Sequence, residues 1–443
     1  MCTLRNYTVQ FELFDSQHEA LSGQIALEDV FKAYFECRRL KRRTASALAF
    51  ELDFERELVR LWREINSGAY KIGRSIAFIV RHPVQREVFA ADFRDRIVHH
   101  LVVSKLNPLF EREFIFDSYS CREGKGTQQG VRRIRSQIEE CSDLYTRDCY
   151  IMKLDIRSFF MSIDKNVLYR MLAEFIGEKY HCSDKPILLR LVRQIIFNNP
   201  EENCIIKGRR SDWNGLPCHK SLFWSKRHCG LPIGNLTSQI FANFYLNRLD
   251  KYVVEELGIK YYGRYVDDFI LIDSRKEKLL EAHRKIKAFL QSSLKLELHP
   301  DKFYLQHCSK GVGFIGAVIR PGRVYIGARS KNNLYHKIRV QLRQMSKSVE
   351  NTLAALPGFA SIVNSYLGIM KHYNTYNLRS HILTMLDNTF LGEVTERDAH
   401  AAKLSIDRDF RPAGLKKRQL RKQRQYRRRQ RHSLYKGENN GSI

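Results

Sequence analysis

Two apolar stretches of this chain each run into acids, and that coincidence constrains the fold more than any other feature. Tyr150-Ile-Met-Lys-Leu-Asp155 is apolar and ends in Asp155, while Tyr265-Val266 and Phe269-Ile-Leu-Ile272 enclose Asp267 and Asp268. Short apolar runs of this kind read as buried strands. A buried carboxylate is costly unless it is paired or binds a metal. Two adjacent carboxylates also repel, raising each other's pKa until a cation resolves the conflict. An Asp-Asp pair alone is most often a solvated turn, but the apolar strands on both sides favour a buried acidic site here. Hard oxygen ligands select Mg²⁺ over soft metals, with Mn²⁺ as a substitute. Two such ions, roughly 3.5–4 Å apart, are a known solution for in-line displacement at phosphorus. One activates an attacking 3′-hydroxyl, and the other holds a triphosphate and its leaving pyrophosphate.

The surrounding sequence mixes helical and extended patterns. Residues 24–69 read as helical, with Phe31, Tyr34, Phe35, Leu48, Phe50, Leu52 and Leu58 recurring among charges. Ser75–Val80 and Glu87–Ala90 read as strands of a hairpin whose positive face carries Arg81 and Arg86. Asp92 is expected to cap a helix reaching about Phe110, with Ile97, Leu101, Val102 and Leu106 inward. A basic glycine-rich loop, Cys121–Thr127, leads to a further helix carrying Arg132, Arg133 and Arg135. Residues 165–196 and 276–293 read as helices, and 200–230 as an irregular insertion. Pro232–Leu249 begins as a turn and becomes a helix, Leu294–Ile326 is strand-rich, and 330–390 is helical again.

Charge narrows the partners. Lys and Arg total 76 against 48 Asp and Glu, a formal net charge of +28. An excess of this size points to nucleic acid before other ligands. Residues 411–436 hold twelve of the bases and no acid, so this segment is either a solvated tail or an arm that binds RNA or DNA. No stretch is long and apolar enough to cross a bilayer, and Met1–Gln10 lacks a signal-peptide pattern, so a cytoplasmic protein with reduced thiols is expected. Cys218-His219 and His228-Cys229 offer four soft ligands for Zn²⁺, but as adjacent dipeptides they lack the usual ligand spacing and read as loop residues.

These residues resemble the reverse transcriptases. Tyr265-Val-Asp-Asp268 matches the catalytic turn of that family, and Lys153-Leu-Asp-Ile-Arg-Ser-Phe-Phe160 resembles its first metal-binding motif. Leu231-Pro-Ile-Gly-Asn-Leu-Thr-Ser-Gln239 stands where the nucleotide-pocket motif belongs. Arg94–Val98 and Ser118–Gly130 resemble fingers blocks, Gly311–Gly316 the primer grip, and Ser365–Asn374 the start of the thumb. The matches follow the family's order over roughly residues 75–380.

The resemblance implies an α+β right-hand polymerase, with fingers, a palm of antiparallel sheet plus helices, and a helical thumb. Residues 1–74 would be an N-terminal helical extension, 75–149 fingers, 150–327 palm with the insertion at about 200–230, 328–400 thumb, and 411–443 a basic tail. Asp155, Asp267 and Asp268 would be the metal ligands, with the Ile156 carbonyl as an extra oxygen. Phe160 would be the steric gate against a 2′-hydroxyl, although a plain core Phe fits the sequence equally well. Arg86 and Arg81 would clamp the triphosphate, and Tyr265, Ile233, Gly234 and Gln239 would line the substrate site. Lys302 would either protonate pyrophosphate or be a surface lysine.

The pocket motif departs from most of the family, which carries Gln and Pro where this chain has Ile233 and Gln239. Ile-Gly-x-x-x-Ser-Gln resembles the reverse transcriptases of diversity-generating retroelements, which copy a template repeat with errors at adenines. That implies a template RNA, an RNA/cDNA duplex, dNTPs and a basic oligomeric accessory variability protein as partners. The competing readings are a retron, abortive-infection or group II-like enzyme, an RNA polymerase, and a non-catalytic RNA-binding protein.

Overall fold

A computed structural model describes residues 23–39, 44–81, 84–345, 349–387, 394–396 and 404–406. The basic segment 411–436 lies outside the described residues. The chain divides into two compact units, Met1–Cys308 and Ser309–Ile443. Helices and mostly antiparallel sheets are mixed throughout, which bears out the α+β expectation. Among the described residues no helix is long and apolar enough to cross a membrane.

Among the described residues the first unit begins with three helices, α1 (Leu27–Arg38), α2 (Ala45–Glu51) and α3 (Phe54–Ser67), where the sequence read one helical region. Thr44 caps α2 through its side chain, and Gly68, at φ 80°, ends α3 in the left-handed conformation. The expected hairpin follows as β1 (Ile76–Val80) and β2 (Arg86–Ala90), antiparallel with Ala77 opposite Phe89. Helix α4 (Phe93–Glu113) is capped by Asp92, whose side chain accepts from the Arg94 N–H. Its predicted inward residues Ile97, Leu101, Val102 and Leu106 are all buried. Helix α5 (Thr127–Cys141) follows the glycine-rich loop.

A four-stranded antiparallel sheet forms the centre, built from β3 (Tyr150–Asp155), β5 (Tyr261–Tyr265), β6 (Asp268–Asp273) and β7 (Tyr304–His307) in the order β5-β6-β3-β7. The two central strands are the near-continuous apolar runs, as strands covered on both faces require. Phe269, Ile270, Leu271 and Ile272 are fully buried. The edge strands carry the polar mixtures Tyr-Tyr-Gly-Arg-Tyr and Tyr-Leu-Gln-His.

Residues 165–196, read as helical, hold two helices, α7 (Lys165–Lys179) and α8 (Lys185–Phe197), following the single turn α6 (Phe159–Ser162). The break falls at Tyr180–Asp184, just before Pro186 in the first turn of α8, where proline favours a helix start. The insertion is irregular as read, but its two-residue strand β4 (Ile205–Ile206) pairs in parallel with β1. Helix α9 (Leu236–Lys251) is buried on nearly all sides, as a helix central to the unit must be. It is followed by a π-helical turn at Tyr252–Glu256 and then by α10 (Lys276–Ser293), which matches the predicted range.

The second unit contains a three-stranded antiparallel sheet of β8 (Val312–Phe314), β9 (Ala317–Arg320) and β10 (Arg323–Ile326). The helices α11 (Ala328–Met345), α12 (Val349–Met370) and α13 (Tyr376–Asp387) follow. Leu334, Ile338, Phe359, Val363, Leu367 and Ile382 share their apolar core.

Candidate active site

The sheet register brings the sequence-predicted acids together. Asp155, at the end of β3, lies directly opposite Asp268, at the start of β6. The turn between β5 and β6 is closed by Asp267, whose carbonyl accepts from the Ile156 N–H at 3.2 Å. Val266 in that turn has φ 58°. A left-handed β-branched residue costs about 1–3 kcal/mol and persists only where its surroundings impose it.

Two lysines stand against the acids. The Lys302 ammonium donates to both Asp155 oxygens at 2.9 Å, and Lys153 pairs with Asp268 at 3.0 Å. Lys302 reaches Asp155 because its turn is sewn to the end of β3: the His299 N–H donates to the Asp155 carbonyl, and Ile156 bridges Leu298. Sequence reading singled out Lys302 but passed over Lys153, although Lys153 and Asp155 are two apart on a strand and share a face.

The carboxyls are electrostatically strained. Burial, then Asp155, pushes the Asp267 carboxyl above its ordinary value, against the pull of Lys302 and Arg86. Burial pushes Asp268 up to about 6 against the pull of Lys153, with Asp155 and Asp267 adding to the rise. Asp268 Oδ1 is buried without a hydrogen-bond partner. An orphaned carboxylate oxygen among mutually repelling acids is a donor set suited to a hard cation, so the residues fit Mg²⁺. Among the described residues, however, no three His, Cys, Asp or Glu side chains are already gathered tightly enough to hold a metal. That also applies to Cys218, His219, His228 and Cys229; both cysteines are free thiols, Cys218 exposed.

The predicted gate and pocket residues are brought together. Phe160 and Ile233 both pack on a small cluster of Ala77, Phe89, Met161 and Leu222. Backbone hydrogen bonds lace this region: the Leu231 N–H donates to the Phe160 carbonyl at 2.8 Å, and the Phe89 N–H to the Ile233 carbonyl at 2.8 Å. Gly234 must be glycine. Its φ is 124°, and a Cβ there would lie 2.7 Å from Val88 Cγ1 and 3.0 Å from the Phe89 carbonyl oxygen. Gln239, exposed on the first turn of α9, accepts from the Cys121 thiol at 3.4 Å. Tyr265 is half-buried opposite Asp268.

The two arginines part company. Arg86 lies within electrostatic reach of Asp267. Arg81 turns to the insertion and pairs with Asp212 at 2.7 Å.

Three buried charged residues, Glu87, Arg264 and Asp250, were missed by the sequence reading. Glu87, 1% exposed, accepts from Trp213 Nε1 at 2.6 Å, the Ser221 hydroxyl at 2.7 Å and the Leu222 N–H at 2.6 Å. It pins the insertion to the hairpin. Arg264 and Asp250 form a completely buried ion pair at 2.6 Å, and Arg264 Nη1 donates to the Val266 carbonyl at 3.0 Å. Strand alternation places Arg264 on the same inward face as Tyr262, a signal visible in the sequence.

Hard-oxygen ligands at the mouth of a buried sheet, flanked by lysines and an arginine, suit the chemistry of phosphoryl transfer. The sequence profile of the family "Reverse transcriptase (RNA-dependent DNA polymerase)" matches residues 86–319, more than half of the chain, and the chain belongs to that family. The right-hand α+β fold and use of divalent metal go with that membership. Protein YkfC of Escherichia coli (strain K12) is 25% identical over 255 residues, 50% of this chain and 60% of that protein. Nuclear intron maturase 1, mitochondrial, of Arabidopsis thaliana is 22% identical over 214 residues, 41% of this chain and 28% of that protein. The chain therefore spans less than two thirds of either relative. A solved structure of apo telomerase from Candida tropicalis is 14% identical, covering 72% of this chain and 60% of that one, at a TM-score of 0.45.

Proposed function

We propose that this chain is an RNA-directed DNA polymerase that adds dNTPs to a primer 3′ end, error-prone at template adenines within a diversity-generating retroelement. The convergence of Asp155, Asp267 and Asp268 where the two central strands end, together with the packing of Phe160 and Ile233 on one cluster, is the observation that supports this reading. Residues 75–149 would act as fingers, 150–327 as palm and 328–400 as thumb.

Asp155, Asp267 and Asp268, with the Ile156 carbonyl, would hold two Mg²⁺ ions, which supply charge for a nucleophilic 3′-oxygen and a leaving pyrophosphate. Lys302 and Lys153 neutralise the carboxylates and would shift as cations bind, which leaves Lys302 close enough to deliver a proton to pyrophosphate. Arg86 would bind the triphosphate, with Arg81 joining it on release from Asp212. Phe160 would fill the space of a 2′-hydroxyl, and Tyr265, Gly234 and Gln239 would shape the sugar and base site.

Ile233 offers no hydrogen bond to the incoming nucleotide. A loss of only ~1.4 kcal/mol in discrimination changes selectivity tenfold, enough to relax pairing at adenine. The partners would be a structured template RNA, the RNA/cDNA duplex and a basic oligomeric accessory protein. Likeness to an intron maturase favours a group II-like enzyme as the second reading; the Ile233 and Gln239 form of the pocket favours the first.

The test is Mg²⁺-dependent dNTP incorporation on a defined RNA template–primer, with and without the cognate RNA and accessory protein, followed by product sequencing. Asp267→Ala/Asp268→Ala should abolish synthesis, errors should concentrate opposite adenines, and Ile233→Gln should reduce them. Accurate synthesis would remove the retroelement assignment. An unchanged error spectrum in Ile233→Gln would show that Ile233 does not set fidelity.

A further inference from the structure

The catalytic turn is held from beneath by a group that never reaches its surface. Arg264 is fully buried and forks onto Asp250: Nε donates to Oδ1 and Nη2 to Oδ2, each at 2.6 Å. Its remaining arm, Nη1, donates to the Val266 carbonyl at 3.0 Å. The Tyr262 hydroxyl donates to Asp250 Oδ1 at 2.7 Å, and Nη2 also reaches the Ser118 hydroxyl and the Asn243 carbonyl at 3.4 Å. Backbone bonds fix Arg264 itself, since its N–H donates to the Asp117 carbonyl and its carbonyl accepts from the Tyr119 N–H, both at 2.9 Å.

This arrangement is poorly accounted for as a device for stability alone. Well-packed apolar groups often replace a buried ion pair with no loss, or with a gain. A planar guanidinium, however, can satisfy a carboxylate in two places and still direct a third donor along a fixed line, which neither Lys nor an apolar residue can do. That third donor meets the carbonyl of Val266, the residue at φ 58° immediately before Asp267 and Asp268. Asp250 lies in the last turn of α9, whose first turn carries Gln239 of the pocket motif. One rigid helix therefore has the pocket at one end and the clamp on the acidic turn at the other.

We propose that Arg264, oriented by Asp250, is a positioning residue that sets the left-handed turn at Val266 and thereby the placement of Asp267 and Asp268 for metal. The inference rests on the polymerase reading, but one arm of its test does not need activity. The full-length wild type, Arg264→Lys and the double variant Asp250→Leu/Arg264→Met are compared. Thermal melting reports folding, Mn²⁺ binding is read from the electron-spin resonance of the free ion, and dNTP incorporation is measured in the same preparations.

The double variant should melt cooperatively near the wild type, because both charges leave together. Its Mn²⁺ dissociation constant should rise about tenfold or more. Its kcat should fall by about a hundredfold, the scale of a misplacement near 1 Å, with KM for dNTP little changed. Arg264→Lys keeps the charge but loses the fork, and should also weaken Mn²⁺ binding. A merely structural pair predicts the opposite split, with wild-type Mn²⁺ affinity and kcat returning once the double variant folds. That result, or wild-type Mn²⁺ affinity in Arg264→Lys, overturns the proposal. A wild type that binds Mn²⁺ but incorporates no dNTP even with the cognate RNA and accessory protein would defeat the polymerase reading, while the variants' Mn²⁺ affinities still decide this one.

Discussion

Glu87→Ala should release the insertion while leaving the central sheet intact. Three donors converge on this carboxylate from residues 213, 221 and 222, at 2.6, 2.7 and 2.6 Å. Hydrogen bonds to a charged acceptor contribute about 1.5–3 kcal/mol each, and donors left buried without a partner cost a similar amount. The three are coupled, so their sum overstates the effect, and about 4 kcal/mol is expected for Glu87→Ala, near the upper end for point changes. Glu87→Gln keeps an acceptor for Trp213 and Ser221 but sets an amide donor against the Leu222 N–H, and should cost about 2 kcal/mol. Amide hydrogen exchange on the full chain reads this directly. A change of 2 kcal/mol lowers protection about thirtyfold, and 4 kcal/mol close to a thousandfold, provided local opening governs exchange. The loss should fall on residues 205–230, with β3 and β6 retaining wild-type protection. Unchanged protection of the insertion in Glu87→Ala would refute the argument, and so would a loss spread evenly over the whole sheet.

Gly234→Ala should combine about 1–3 kcal/mol of backbone strain with about 1–3 kcal/mol of overpacking against Val88 and Phe89, and steady-state kinetics should show a raised KM for dNTP. In chelator-treated protein, Asp268→Asn should raise the melting temperature at pH 7, and Mg²⁺ should stabilise the wild type more than the variant. Because the folded Asp268 value, about 6, lies above its ordinary 3.8, the folded state binds more protons between them. Metal-free wild type should accordingly gain stability from this group as pH falls through 6, a gain Asp268→Asn lacks. His99 acts in the other direction: burial first, then His100 and Arg96, lowers it from 6.5 to about 3. The unfolded chain takes up that proton below pH 6.5, so urea titrations in the Asp268→Asn background should lose up to about 1.4 kcal/mol per pH unit there, and His99→Gln should flatten the slope.

The acids were legible because an apolar run that ends in Asp, once it is a strand, delivers that carboxylate to the rim of a buried sheet. The β3–β6 register then placed Asp155 opposite Asp268. The hairpin and the Asp92 cap were legible because their signals are equally local. The break at Tyr180–Asp184 was passed over although the sequence marks it, since the apolar spacing lapses through His181–Lys185 and Asp184 with Pro186 signals a restart. Glu87 was illegible as an anchor since its partners Trp213, Ser221 and Leu222 lie far along the chain. For Arg264 strand alternation with Tyr262 gave the inward face, but not the partner Asp250 on the helix before it. Arg81 illustrates the reverse: a base in a promising place is drawn to Asp212, an acid within a segment whose path the sequence does not reveal.

The lacing of the Leu231–Gly234 strap has a consequence for anyone seeking to reprogram this chain. The Leu231 N–H holds the Phe160 carbonyl, and the Phe89 N–H holds the Ile233 carbonyl, so three separate stretches share one ribbon of backbone. A side chain swapped at one site shifts the footing of the other two, and single-site libraries will report the same substitution as helpful in one background and harmful in another. On the proposed pocket reading, combinatorial libraries that vary positions 89, 160 and 233 together will explore nucleotide choice more efficiently than three scans run apart.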